Sequence, residues 1–195
     1  MIRIAVLLAL TGFTGPASAQ NSSFCQELWL SRNTVMDRAG QCFGTPLGQA
    51  VFDNSDCVEG GLRLTPMDAE IVRLAQQTED WANCQVDTQA GQLSGDVEPF
   101  RTRLRELVTI PVRGDSEHGC RGYGGPPVAL HAGTSPSTTV IGTLVAAQGF
   151  SVSHITMRSG WEYLEVYDPD GPVVAHGWTR NDLETMVASC TFFAG

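Results

Sequence analysis

The chain has 195 residues and a net charge of −9, from 21 acidic residues against 12 basic ones, and every basic residue is arginine. That acidity repels phosphate backbones and anionic lipid, which argues against nucleic-acid and membrane-surface roles. It also favours solubility. The length suits one domain or two small ones.

The first stretch reads as a secretory signal peptide over residues 1–19. Arg3 supplies the positive start, Ile4 to Leu10 the apolar core, and Ala17-Ser18-Ala19 a small-residue cleavage site before Gln20. The apolar run is too short to span a bilayer, and no later segment reaches that length, so no membrane span is expected. Removing Arg3 with the signal takes the net charge from −9 to about −10.

The next element is an amphipathic helix. Asn21-Ser22-Ser23 offers an N-cap, and Ser23 with Gln26 has capping-box spacing. Phe24, Leu28, Val35 and Ala39 form one apolar stripe, which Trp29 and Met36 widen. Gly40 suits the position after the helix, with Phe43 as a hydrophobic clamp beyond it. A short apolar piece, Ala50-Val51-Phe52, and a polar loop carrying Cys57 follow. Thr65-Pro66-Met67-Asp68 then opens a second helix: Thr as N-cap, Pro at the first helical position, Asp against the dipole. It ends near Cys84.

Six cysteines behind a signal peptide point to disulfides in an oxidising compartment. A helix over 25–39 holds Cys25 and Cys42 roughly 20 Å apart at about 1.5 Å per residue, too far for a bridge. Two antiparallel helices bring the start of the first to the end of the second. The expected pairs are therefore Cys25–Cys84 and Cys42–Cys57, with Cys120 left for Cys190.

Residues 85–97 are polar, contain two glycines and show no periodicity, as in a linker. From Pro99 to Val108 two readings compete. Phe100, Leu104 and Leu107 fit a helix, whereas Arg101, Arg103 and Arg105 alternate as on a strand. Beyond Cys120, glycine and proline turns lead into short β-type runs at 128–131, 139–144, 150–156, 161–167 and 173–178. Five short strands at this spacing suggest a small barrel.

Two resemblances follow from these residues. Leu28, Arg32-Asn33, Arg38-Ala39-Gly40, Phe43 and Phe52, then Leu64-Thr65-Pro66, resemble the YARHG domain, a small extracellular bacterial module. Met36 stands where that motif has an aromatic, Gln41-Cys42 replaces the usual pair, and four cysteines are extra. The segment looks like a divergent, disulfide-stabilised relative within an uncharacterised family of alphaproteobacterial secreted proteins. Val128 to Gly133, Ser135-Pro136, Val140 to Leu144, Trp161, Leu164, Val166 and Gly177-Trp178 resemble a bacterial SH3-type domain. The weak turn Ala146-Ala147-Gln148-Gly149 and Thr179 depart from that pattern. The fold class expected is α+β: a disulfide-linked helical hairpin over 20–84, a linker over 85–107 and an SH3-like β-barrel over 108–195.

The SH3-type resemblance implies binding of cell-wall peptides or an interaction role. Trp161, Tyr163 and Trp178 are the candidate ligand-binding residues, because aromatics supply contact area in peptide recognition. Packing on the strand faces is the competing role for them. Arg32-Asn33 reads as structural, the arginine pairing with an acid. His118, His131, His154 and His176 lack ligand spacing and no C-x-x-C occurs, so neither metal nor cofactor is expected. The chain carries no G-x-S-x-G, no P-loop and no H-E-x-x-H, and Asp168 and Asp170 stand in a D-P-D-G turn. The expectation is an exported, non-catalytic protein that binds a cell-envelope component, peptidoglycan or peptide. The alternative is a secreted or periplasmic inhibitor or assembly factor with a protein target.

Overall fold

The computed structural model describes residues 22–195. The signal peptide expected over 1–19 lies outside the described residues. Among those described, no helix is long and apolar enough to cross a membrane.

Helix α1 (Ser23–Arg38) starts one residue earlier than its spacing suggested. Ser22, not Ser23, caps it by accepting from the Cys25 amide at 3.3 Å. Gln26 instead faces inward, where its Oε1 accepts from the Ser94 amide at 2.8 Å. The C-terminus is a Schellman motif: Gly40 has φ +94°, its amide reaches the Asp37 carbonyl, and Gln41 reaches Met36. A short helix α2 (Pro46–Val51) follows, capped by Thr45. Phe43 stacks on Phe52 with centroids 4.5 Å apart. Helix α3 (Pro66–Trp81) carries the full Thr65–Asp68 capping box.

Three disulfides tie this framework: Cys25–Cys84, Cys42–Cys57 and Cys120–Cys190, with Cα separations of 5.4, 5.0 and 5.7 Å. The first joins the start of α1 to the end of α3, as antiparallel packing requires. Arg32 adds an ion pair to Glu79 of α3, its Nε 3.1 Å from the carboxylate. Asn33 donates to the Trp29 carbonyl one turn back at 2.7 Å.

The stretch 85–107 is more than a connection. It contains α4 (Glu98–Leu104), which settles the ambiguous segment as helix. Phe100, Leu104 and the following Leu107 are fully buried. The apolar positions, three and four apart, claim the inner face, and the arginines between them flank it: Arg101 reaches the Val51 carbonyl and Arg103 the Glu165 carboxylate.

The rest of the chain forms one antiparallel sheet of seven strands: β1 (Val112–Tyr123), β2 (Val128–His131), β3 (Val140–Leu144), β4 (Gly149–Ile155), β5 (Glu162–Tyr167), β6 (Val173–Thr179) and β7 (Cys190–Ala194). Their order is β3-β2-β6-β5-β4-β1-β7, an open sheet with β3 and β7 at its edges. The five expected strands are all present, but they lie inside this larger sheet and not in a closed five-stranded barrel. The additions are β1 and β7. Strand β1 has the sequence VRGDSEHGCRGY, whose polar and glycine residues show no alternation, and it is held by β4 on one side and β7 on the other.

The sheet is covered on both faces. Tyr163, Trp178, Val112 and Ile110 share a core with Leu28, Ile71 and Phe100 of the helices. Leu130, Phe150, Leu164 and Val166 pack with Met186 of the short helix α5 (Leu183–Val187).

Candidate functional site

The aromatic trio expected to line a groove is buried. Trp178 and Tyr163 meet edge to face at 5.4 Å, and the Trp178 Nε1 donates to the Thr109 carbonyl at 2.8 Å. Trp161 is 5% exposed and covered by the Arg180 guanidinium at 5.8 Å. All three belong to the core beneath the helices. The physical reason is that the helical layer lies over the strand face that an isolated barrel would leave open.

A polar seam runs along the same layer. The Tyr163 hydroxyl and His176 Nδ1 are 3.1 Å apart, and His176 Nε2 lies 2.6 Å from Glu106 Oε2. Burial lowers the His176 pKa against the opposing effect of its hydrogen bond to the Glu106 carboxylate. Burial likewise raises the Tyr163 phenol well above its usual value. Tyr–His–Glu is an order that can activate a nucleophile. Here the tyrosine is 1% exposed, out of reach of a reactant, and the chain of bonds fastens β5 and β6 to the segment after α4. Arg103 of α4 pairs with Glu165 of β5 in the same seam. His154, between Phe100 and Tyr163, is held neutral by burial, with Arg113 and Arg103 adding to the effect.

Among the described residues no group of three His, Cys, Asp or Glu side chains could hold a metal ion. The cysteines are all bridged.

An open cavity of about 300 Å³ lies on the surface where two turns meet strand β1. It is lined by Arg121, Ala147, Gly149, Tyr167, Asp170 and Gly171. The Tyr167 hydroxyl donates to the Cys120 carbonyl at 2.9 Å, which fixes the ring as one wall. Ala147 and Asp170 hold φ of +72° and +58°, a left-handed backbone that side-chain-bearing residues seldom adopt. The two turns are laced together: Gln148 donates to Asp168 at 3.0 Å and accepts from the Val145 amide at 2.9 Å. Among the described residues the Arg121 guanidinium has neither an ion-pair nor a hydrogen-bond partner. The cavity therefore offers a free cation, the Asp170 carboxylate, an aromatic wall and exposed turn backbone, a combination suited to a peptide that carries groups of both charges. A wider cavity of about 380 Å³ lies at the end of α1 and has two arginines in its lining: Arg38 is spent on the Leu104 and Leu107 carbonyls, and Arg63 shares the wall with two carboxylates, Asp37 and Asp56.

Comparison with known families divides the chain close to the end of α3. The model of the YARHG domain matches residues 2–80. A domain of unknown function, DUF4453, matches residues 83–195, more than half of the chain. The chain belongs to the DUF4453 family. The DUF4453 region takes in Cys84, α4 and all seven strands, so the stretch expected as a linker falls within the family match. The YARHG match and the disulfides fit an extracellular or periplasmic protein. No curated protein matches the chain. No solved structure matches it either.

The DUF4453 cavity was beyond reach of sequence reasoning. Its Ala146-Ala147-Gln148-Gly149 and D-P-D-G turns are visible as turns, yet they stand some 20 residues apart and only the β4–β5 pairing joins them.

Proposed function

We propose that this DUF4453 protein is exported, non-catalytic, and binds a cell-envelope component, peptidoglycan or peptide, with β2 to β6 acting as an SH3-like interaction module. The observation that carries the reading is the Arg121–Tyr167 cavity, a preformed surface site with an unpaired cation. The YARHG match supports the compartment. The non-catalytic reading is supported by the fate of the reactive side chains, since Tyr163, His176 and Glu106 bond to one another within the fold.

Co-sedimentation with purified peptidoglycan tests the proposal. The mature protein should pellet with the wall fraction, and Arg121→Glu should stay in the supernatant with an unchanged far-UV circular dichroism spectrum. If the protein pellets with no envelope fraction, the reading fails in favour of an inhibitor or assembly factor with a protein target.

A further inference from the structure

Trp81 is the last residue of α3 and is 65% exposed, whereas the other three tryptophans, Trp29, Trp161 and Trp178, are 6%, 5% and 0% exposed. A large aromatic left in water is unusual. No ring contact covers it among the described residues. At its foot lies a cavity of about 250 Å³ lined by Gln77, Thr78, Trp81, Gly114, Asp115 and Ile155.

The far wall of this cavity is made by an irregularity in the sheet. Strands β1 and β4 pair at Arg113↔His154 and again at His118↔Val152, so residues 114–117 stand opposite Ser153 alone. Bulges of this kind re-aim side chains and occur beside functional sites. This one brings Gly114 and Asp115 to the cavity beside Trp81. Glu117 is engaged by Arg113 at 3.7 Å, while Asp115 has no ion-pair partner among the described residues. Trp81 also lies between the two family matches, which end at 80 and begin at 83. Helix α3 and strand β1 thus build the cavity together.

We propose that Trp81 and Asp115 form a binding site for an organic cation, an alkylammonium or guanidinium group. An indole face attracts such a cation through its quadrupole, and an adjacent free carboxylate supplies the counter-charge. The net charge of −9 favours the approach of cations over anions. The site is independent of the Arg121 cavity, with which it shares no lining residue. The cation could come from a small molecule or from a Lys or Arg side chain of a partner.

Because Trp81 is the one exposed tryptophan of the four, intrinsic fluorescence of the exported chain reports on this site. Titration with tetramethylammonium chloride, and separately with the N-acetyl amides of lysine and arginine, should change the emission saturably. Sodium chloride at matched ionic strength should not. Asp115→Asn, on an exposed bulge, should weaken binding roughly 3- to 30-fold at an unchanged urea midpoint. Trp81→Leu should abolish binding, read by ligand-observed NMR since the reporter is removed. Binding of tetramethylammonium alone assigns a small organic cation, and binding of the amino-acid amides assigns a basic side chain. The inference is overturned if none of the three cations saturates, or if Asp115→Asn titrates as the parent does.

Discussion

Glu27 of α1 faces Arg113 of β1 across the seam between helices and sheet, Oε2 to Nη1 at 3.4 Å, with side chains only 15% and 22% exposed. Neither Glu27 Oε2 nor Arg113 Nε has a hydrogen-bond partner among the described residues. Burial pushes the Glu27 carboxyl up from 4.5 to about 7; Arg113 and Arg103 oppose the rise, and Glu165 and Asp96 add to it. The folded state therefore holds the Glu27 proton more tightly than the unfolded chain does. Its contribution to stability is complete below pH 4.5 and is lost as pH rises through about 7. The shift corresponds to about 3 kcal/mol at most. His154 acts in the opposite sense. Kept neutral far below its usual range, it contributes above pH 6.5 and loses that contribution as pH falls. The two slopes partly cancel in the whole protein, so the informative quantity is a difference. Urea unfolding of the parent and Glu27→Gln should show the parent losing about 2–3 kcal/mol relative to the variant between acid and mildly alkaline pH. Parallel curves would show that Glu27 keeps an ordinary pKa.

Arg38, from the Arg-Ala-Gly run of the YARHG match, donates through Nη2 to the carbonyls of Leu104, at 3.1 Å, and Leu107. The turn that closes α4 already gives the Leu104 carbonyl one donor, the Leu107 amide at 3.3 Å, whereas the Leu107 carbonyl lies beyond that turn and takes its donor from Arg38. Arg38→Ala should destabilise the protein by about 1–3 kcal/mol by leaving the Leu107 carbonyl unpaired and taking one of two donors from the Leu104 carbonyl. Arg38→Lys should recover only part of this, because one ammonium cannot reproduce the planar fork. Hydrogen exchange should quicken first at residues 100–107. An Arg38→Ala protein of unchanged urea midpoint would argue against this role.

Trp178 is wholly buried and joined to Thr109 by its indole N–H. Trp178→Ala should cost about 3–5 kcal/mol, as for other large aromatic truncations in cores. Tyr163→Phe, losing only the bond to His176, should cost about 1 kcal/mol. Both effects should appear in urea midpoints. A folded Trp178→Ala protein of full stability that no longer pellets with cell wall would restore the tryptophan to a binding groove.

Local chemistry made much of this fold readable. Thr65-Pro66-Met67-Asp68 specifies a helix start within four residues, and Gly40 supplies a φ of +94° that ends α1. The rise of a helix excludes a Cys25–Cys42 bridge, and antiparallel packing of the two helices then gives the observed pairing with Cys84 and Cys57. Strands β2 to β6 announce themselves through β-branched and aromatic runs between turns. Strand β1 does not, because its pairing energy comes from neighbours 30 to 75 residues away. The same holds for α4, whose helix prevails because Phe100 and Leu104 find a core made by other elements.

By itself, then, the sequence determined the helical hairpin, its cross-links, the strand positions and the family-like motifs, all set by neighbours in the chain or by a simple distance limit. The tertiary structure decided which surfaces stay in water. A period of two assigns Tyr163 and Leu164 to opposite faces of β5 but cannot say that both faces will be covered, one by α1 and α4 and the other by α5. That double covering buries Trp161, Tyr163 and Trp178 and leaves Arg121, Tyr167 and Trp81 at open cavities. Exposure depends on what packs opposite a residue, and those partners are supplied by segments distant in the chain.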